Sequence, residues 1–399
     1  MKGNILLLLD RYLPEPLSSA VMFNDLAREF NNRGFKVTII AGSHKIKSNC
    51  EISIENEIKV VRVRTKKLRT NYFQRTINEL FLGRRIWVFT KDKLDYSNFD
   101  LVAYYSPTIF WSSLVNRLRT KYNITSYLVL RDIFPKWAAD LGLIRRYGIV
   151  YFFFKIFEYK LYRSANYIGV QSPNNQLYFE SSRYLDSFNT EVLYNWTSID
   201  TNEKNYSLIR QELNLEDKII FLYGGNIGVA QDIDNLLDLA KMLLERKEIV
   251  FLLVGDGTES KRLDGRIKNE NIINTILLPS VTPEAFQGIV SESDVGLISL
   301  SRDLKTENYP GKIMSYMKSK KPMLASINDG NELFNMIHNN SGYVALNGDH
   351  NLLLKYAIKM ANNKSQREEM GMNGFRLLKN QFNVDSAVDK ILDKITYKD

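Results

Sequence analysis

Residues 219–228 read Ile-Ile-Phe-Leu-Tyr-Gly-Gly-Asn-Ile-Gly, an apolar run that stops on a cluster of glycines. A short, continuous apolar run ended by a turn signal predicts a strand buried on both faces, and the apolar spacing from Ile233 to Leu244 predicts a helix directly after it. Strand, glycine turn and helix in that order imply a parallel sheet with helical crossovers. The same alternation continues downstream, with apolar runs at 249–254 (Ile-Val-Phe-Leu-Leu-Val), 275–278, 295–300 and 323–325 separated by helical patterns.

Upstream, a second series of the same kind begins at the chain's first residues. Residues 4–9 form an apolar strand pattern. A turn with Pro14, Pro16, Ser18 and Ser19 follows, then a helix in which Ala20, Val21, Phe23, Leu26, Ala27 and Phe30 recur at helical spacing, and a strand at 36–41. Further runs at 100–104, 126–130, 167–170 and 191–193 supply later strands. The chain is therefore expected to be α/β, with two Rossmann-like, doubly wound domains, residues 1–198 and 199–382, joined through the polar stretch 195–205. Ligands of such sheets sit at the carboxyl ends of the strands, so the motifs are sought there and expected to face a central cleft.

A chain of 399 residues with 44% hydrophobic, 12% aromatic and 25% charged residues has a globular composition and enough length for two cores. Its single cysteine, Cys50, leaves no internal disulfide and points to a reducing compartment. With His44, His338 and His350 its only histidines, no zinc-type cluster is expected. The run Ile5–Leu9 is too short for a secretory leader, and the aromatic segment Ile149–Phe157 is interrupted by Lys155, so no span of about 20 apolar residues exists.

The net charge of +9 is unevenly placed: residues 1–195 carry 29 Lys+Arg against 17 Asp+Glu, and residues 196–399 carry 25 against 28. Residues 59–91 hold ten basic side chains and one acid, Glu79, interleaved with aromatics. Lys66, Lys67, Arg69, Arg84 and Arg85 are the candidates to face an anionic surface, with a plain solvated basic face as the alternative. Nucleic acid would exert the same pull but is not the expected partner.

Four stretches could carry chemistry. In Tyr223–Gly228 the glycines let backbone amides approach an anion at a helix start, so Gly225, Asn226 and Gly228 are candidates for a diphosphate, and Gly255 and Asp256 in Val254–Gly257 end the next strand in the same way. A tight turn with no ligand would use the same glycines. In Glu307–Met317, a loop carboxylate, Glu307, suits sugar hydroxyls, and Lys312 suits phosphate oxygens. In Val129–Pro135, Asp132 ends a first-domain strand and is the candidate to polarise a reacting hydroxyl, beside Arg131; Glu15 and Ser18 in the first loop are candidates for binding an acceptor or donor. Asp232-Ile233-Asp234 has the spacing of a metal-binding acid pair but falls on a helix start, where a capping role is expected.

Taken together, Pro14-Glu15-Pro16, Asp132-Ile133-Phe134-Pro135, residues 158–172, Tyr194-Asn195-Trp196, the Gly224 turn, Val254–Gly257, Leu278-Pro279 and residues 309–326 resemble the retaining nucleotide-sugar glycosyltransferases of family 4, of GT-B fold, and more narrowly an O-antigen and capsule branch that includes N-acetyl-fucosamine transferases. The resemblance implies a nucleoside diphosphate sugar donor, a UDP-sugar, held by the second domain. It further implies a polyprenyl-pyrophosphate-linked saccharide acceptor and a peripheral location on the cytoplasmic face of a bacterial membrane. No metal or other cofactor is implied. Carried over residue by residue, it adds Leu278, Pro279, Tyr309, Gly311 and Ser315 to the donor site and returns residues 383–399 to the first domain. Two departures stand out: Asn226 and Gln231 occupy positions where the family places Arg and Lys, and Ser315 stands where many members carry a second glutamate. Lys312, with Arg302 or Lys305, is expected to replace the missing cations. The alternatives are a nucleotide-sugar epimerase of the same fold and a noncatalytic, membrane-recruiting binding subunit.

Overall fold

In the computed structural model, strand β1 (Asn4–Leu9) sends Leu6 and Leu8 to one side of its sheet and Ile5, Leu7 and Leu9 to the other, all fully buried. That two-faced burial is what the apolar run dictates, and it requires helices on both sides. The structure describes residues 2–15, 17–66, 72–106, 108–199, 207–304 and 310–395, with Tyr72 and Phe73 described by their backbone alone. The chain divides into two compact units, Met1–Ser198 with Val384–Asp399, and Ile199–Asn383.

The first unit continues with β2 (Lys36–Ser43), β3 (Cys50–Glu55), β4 (Ile58–Arg64), β5 (Leu101–Tyr105), β6 (Thr125–Leu130), β7 (Tyr167–Val170) and β8 (Thr190–Val192). They lie in the order β3-β4-β2-β1-β5-β6-β7-β8, parallel except for β3, which runs antiparallel to β4. The helices are α1 (Ser18–Asn32), α2 (Tyr72–Leu80), α3 (Leu82–Thr90), α4 (Ser112–Tyr122), α5 (Lys136–Asp140), α6 (Ile149–Arg163) and α7 (Pro173–Glu180).

The second unit holds a six-stranded parallel sheet of β9 (Ile219–Gly224), β10 (Ile249–Val254), β11 (Thr275–Leu278), β12 (Val295–Ser299), β13 (Met323–Ile327) and β14 (Gly342–Leu346), ordered β11-β10-β9-β12-β13-β14. Around it lie α8 (Ile209–Glu212), α9 (Asp234–Met242), α10 (Ser260–Asn269), α11 (Pro283–Glu292), α12 (Lys312–Lys318), α13 (Leu333–Ile337), α14 (His350–Asn362) and α15 (Lys364–Gln381). The last helix, α16 (Val384–Leu392), belongs to the first unit. It buries Val384, Ala387, Val388 and Ile391 in the core beneath α1, and Lys390 donates to the Val192 carbonyl at 2.6 Å.

Both sheets therefore reverse strand order beside their first strand, at β1/β5 and at β9/β12, the switch points where open α/β sheets bind ligands. The fold class expected from the sequence is found, with two strand pairings the apolar runs did not reveal: the β3–β4 hairpin at one sheet edge and β14 at the other sheet's edge. The hairpin also corrects the reading of residues 59–91 as one solvated basic face. Arg62 lies on β4, pairs with Glu55 on β3 and donates to the Leu13 carbonyl at 2.8 Å; Arg75 on α2 donates to Glu79 at 2.7 Å. Among the described residues, no helix is long and apolar enough to cross a membrane.

Candidate functional site

In the second unit, the loops after two strands are joined by backbone packing. The loop after β9 leaves the sheet with Gly225 at φ +119°, a conformation that L side chains rarely adopt, and Gly225 N–H donates to the Val254 carbonyl at 2.9 Å. Ile227 N–H donates to the Asp256 carbonyl at 3.0 Å, and Glu259 N–H returns to the Ile227 carbonyl at 3.1 Å. The loops touch so closely that a Cβ on Gly255 would lie 1.8 Å from the Gly225 carbonyl oxygen, and one on Gly257 would lie 2.0 Å from that of Ile227. Gly255 and Gly257 are thus needed for loop-to-loop contact. Among the described residues, the amides of Asn226, Gly228, Val229 and Ala230 donate to no backbone carbonyl outside the regular elements.

Lys312, the first residue of α12, reaches into this corner. Its ammonium stands 3.4 Å from the centroid of the Tyr223 ring at the end of β9, and its Cε would be 3.6 Å from a Cβ on Gly225. Tyr223 is itself fixed, its hydroxyl donating to the Asn226 carbonyl at 2.7 Å. Burial pulls the Lys312 pKa well below the usual lysine range, and among the described residues no carboxylate lies within salt-bridge distance of it. Among the described residues its charge is met by an aromatic face alone, which suits it to receive an anion. Next to it, Asn226 Nδ2 donates to Gln231 Oε1 at 2.8 Å, a neutral pair that satisfies itself.

The remaining second-unit candidates are placed as follows. Asp256 accepts from the Ser280 amide at 3.0 Å and from the Ser280 hydroxyl, tying the β10 and β11 loops together. Leu278 ends β11 and accepts from Gly255 N–H at 3.0 Å, with exposed Pro279 following. Gly311 precedes α12 with ordinary helical angles, and Ser315 lies one turn after Lys312, half-buried. The Arg302 guanidinium packs 3.1 Å from where a Gly348 Cβ would stand. Lys305, Glu307 and Tyr309 lie outside the described residues.

The acid pair Asp232–Asp234 does not cap. Asp232 sits at φ +44° and accepts from Asn347 Nδ2 at 2.8 Å; Asp234 opens α9 with no side-chain cap. Burial opposes ionisation of Asp234, but hydrogen bonds from Arg262 and Arg266 hold its carboxyl below the usual range. The capping expectation is corrected, because arginines from α10 reach the carboxylate. Among the described residues, no group of three His, Cys, Asp or Glu side chains could hold a metal.

In the first unit, the carboxyl ends of β1 and β6 carry a charge cluster. Burial raises the Asp10 carboxyl pKa; Arg11 and Arg75 oppose this and Glu79 reinforces it. Burial also pushes Asp132, directly after β6, up to about 6 against the pull of Arg75 and Arg131. Arg75 is thus the shared counter-charge of Asp10, Glu79 and Asp132. Glu15 accepts from Arg11 Nη1 at 3.1 Å and lies 3.6 Å from His44, and Ser18 begins α1, exposed. Arg131 is internal: it donates to the carbonyls of Leu130, Gly169 and Tyr194 at 3.1, 3.4 and 3.3 Å, lies over the Trp196 ring at 5.3 Å, and is pulled down to about 10 by burial. Its guanidinium holds the strand ends of β6 and β7 together. Lys66 and Arg84 are exposed and Arg85 half-buried; Lys67 and Arg69 lie outside the described residues.

The sequence did not single out the Tyr223 ring beneath Lys312 or the Arg75–Glu79 pair beneath Asp132. Tyr223 carried a signal, as an aromatic at the last inward position before the glycines; Arg75 and Glu79, four apart on one helix, carried the spacing of an ion pair.

Comparison with known proteins agrees with this architecture. Residues 205–377 match the family model described as glycosyl transferases group 1. The "Putative colanic acid biosynthesis glycosyl transferase WcaI" of Escherichia coli (strain K12) is 26% identical over 128 residues, 31% of this chain and 31% of that protein, so the match spans about a third of the relative's length. Two solved structures superpose along nearly the whole chain at 14% identity. One is the sucrose-phosphate synthase from Thermosynechococcus elongatus, with a TM-score of 0.77 and 98% of each chain covered. The other is Anabaena Alr3699/HepE in complex with UDP and glucose, with a TM-score of 0.70 and 98% of each chain covered. Residues 205–377 thus match the glycosyl transferases group 1 family model, in a chain whose two parallel-sheet units have the fold of GT-B glycosyltransferase structures.

Proposed function

We propose that the protein is a retaining glycosyltransferase that moves a sugar from a UDP-sugar to a polyprenyl-pyrophosphate-linked saccharide during O-antigen or capsule assembly, without a metal. One observation carries the reading: an ammonium, Lys312, with no carboxylate partner among the described residues, set over Tyr223 beside the amides of the Gly225–Ala230 turn. This is a diphosphate-shaped set of donors inside the stretch that matches the group 1 family model, and the similar Anabaena protein was crystallised with UDP and glucose.

In this reading the bond from the sugar's anomeric carbon to the diphosphate oxygen breaks, and a bond from that carbon to the acceptor hydroxyl forms on the same face. The acceptor's proton passes to the departing diphosphate oxygen. Lys312 and the amides of Asn226 and Gly228 stabilise the charge that grows there, which is where fixed donors accelerate a reaction most. Glu307 holds donor hydroxyls, and Asp132, ionised above about pH 6, orients the acceptor. Gly255, Leu278, Pro279, Tyr309, Gly311 and Ser315 shape the donor's surroundings, and Asp256 does so through its hold on Ser280. Glu15 and Ser18 border the acceptor, and Arg131 fixes the strand ends beneath it. The lipid tail of such an acceptor places the reaction at the inner face of a bacterial membrane, to which the basic first half, with Lys66, Lys67, Arg69, Arg84 and Arg85, is drawn.

The test is a panel of UDP-sugars incubated with and without a polyprenyl-pyrophosphate-linked saccharide, following UDP release and product configuration. Release that requires acceptor and gives retained configuration is expected. Conversion of a UDP-sugar with no acceptor would replace the reading with an epimerase, and binding without turnover would replace it with a recruiting subunit.

A further inference from the structure

Helix α6 is built with two apolar faces, and among the described residues the outer one is left uncovered except at Tyr159, whose ring packs on Phe188 at 5.8 Å. Tyr151, Glu158, Leu161 and Tyr162 are buried, and between them Phe154 and Phe157 pack edge-on against Phe134 and Phe110, at 4.8 and 4.9 Å between ring centroids. The opposite face repeats at helical spacing with Ile149, Phe152, Phe153, Ile156 and Tyr159, all exposed; Ile149 is 91%, Phe152 53% and Ile156 55% accessible. The turn before the helix extends the stripe with exposed Leu143 and Tyr147. A contiguous apolar stripe of this kind marks an interaction surface.

Along residues 141–163 the exposed charges have one sign, and exposed Asp186 lies beyond the far end, near Phe188. Arg145 and Arg146 stand before the stripe and Lys160 and Arg163 after it, all exposed. The nearby acids are used internally: Glu158 is buried against Lys155 and accepts from the Tyr162 hydroxyl at 2.9 Å, and Asp140 pairs with Lys136 at 2.6 Å. From Leu141 to Arg163 the exposed side chains therefore include no acid.

We infer that the outer face of α6, with the turn at Leu143–Gly148, is the surface by which this protein docks onto an anionic lipid bilayer. The helix lies in the plane of the interface, with Ile149, Phe152 and Ile156 at the acyl boundary and Arg145, Arg146, Lys160 and Arg163 on the headgroups. Its inner face belongs to the first unit's core, so it rests on the membrane and does not span it. A second copy of the chain fits this surface poorly. Antiparallel pairing sets Arg145 and Arg146 against Lys160 and Arg163, parallel pairing sets each cation against itself, and like charges repel in both. The inference rests on the membrane part of the proposed function and names the face that part left to the basic segment; it requires nothing of the donor site.

The test is cosedimentation of the full chain with vesicles of phosphatidylcholine and phosphatidylglycerol, with pure phosphatidylcholine as reference. Wild-type protein is expected on the anionic vesicles. Ile149→Ser, Phe152→Ser and Ile156→Ser together should weaken binding at least about tenfold, and Arg145→Gln, Arg146→Gln, Lys160→Gln and Arg163→Gln together should remove most of its salt dependence. Lys261→Gln with Lys355→Gln, exposed cations of the second unit, should change it by no more than about twofold. Apolar-face variants that bind like wild type would overturn the inference. So would a wild-type dimer that these variants turn into a monomer while vesicle binding persists. If the triple variant misfolds, Phe152→Trp decides: quenching of its fluorescence by bromine-labelled lipid supports the inference, and an unquenched tryptophan overturns it. UDP titration of the same wild-type sample reports on the transferase reading separately.

Discussion

The carboxyl ends of β1 and β6 in the first unit and of β9 and β10 in the second all lie beside or near a switch point, yet their electrostatics are opposite. In the first unit Asp10, Glu79 and Asp132 gather around Arg75, with Arg11 between Asp10 and Glu15. Those charges answer each other, and what remains is one carboxyl, Asp132, tuned to about 6. In the second unit the polar side chains hydrogen-bond in pairs, Asn226 with Gln231 and Asp256 with Ser280, and one ammonium stands over an aromatic ring with no carboxylate partner among the described residues. A cluster that satisfies itself holds a shape and adjusts a proton. A half-buried cation with no counter-charge among the described residues suits an anion, because a ligand can repay its desolvation.

The sharpest way to break this comparison is at the contact that builds the second site. Gly255→Ala would drive a Cβ into the Gly225 carbonyl, so the loops must part; thermal or urea unfolding should show a loss of about 3 kcal/mol or more, with UDP binding lost too. Stability within about 0.5 kcal/mol of wild type would mean that the two loops are not packed together.

Asp132→Asn addresses the first site. Its carboxyl is raised from the ordinary 3.8 to about 6, so the folded state holds this proton more tightly than the unfolded chain. The stability this confers is complete below about pH 4 and is lost as pH rises through 6. Removing the carboxyl should flatten that fall, making the variant more stable relative to wild type at pH 8 than at pH 5 by about 1–2 kcal/mol. An unchanged pH profile would show that Asp132 is solvated.

A smaller effect sharpens the contrast from the other side. Asn226→Arg with Gln231→Lys replaces the neutral amide pair with cations beside Lys312. Calorimetry should find UDP bound about three- to tenfold more tightly, with a steeper salt dependence. Weaker binding would mean that the amide pair itself contacts the ligand.

These contrasts also explain what the sequence revealed. Strands buried on both faces, such as β1, β9 and β10, announce themselves as unbroken apolar runs, and with them came the fold class. Strand β3 did not, because as an edge strand it exposes Ile52 and Ile54 and turns into β4 through Asn56 and Glu57, both at positive φ, without the glycine that usually marks such a hairpin. Strand β14 was hidden by Gly342, which weakens a strand signal; a Cβ there would lie 1.9 Å from the Met323 carbonyl oxygen.

At the site, residue type was legible and use was not. Lys312 stood out as a cation after a loop, but the ring that holds it comes from a distant strand. Gly255 and Gly257 looked like ligand-facing glycines, whereas their lack of a side chain lets two loops touch, a requirement visible only once both loops are in place. Arg62 and Arg75 read as surface charge because their partners, Glu55 and Glu79, reveal themselves only through a hairpin and a helix turn.

The central claim is that Lys312 receives a diphosphate, and isothermal titration of UDP into wild type and Lys312→Ala, in two buffers of different ionisation enthalpy, tests it most directly. Burial lowers the lysine's pKa and a bound diphosphate restores its proton, so wild type should take up protons on binding at pH values above the depressed pKa. The variant should bind at least about tenfold more weakly, with that uptake abolished. Equal affinity and equal proton uptake in the two proteins would contradict the account.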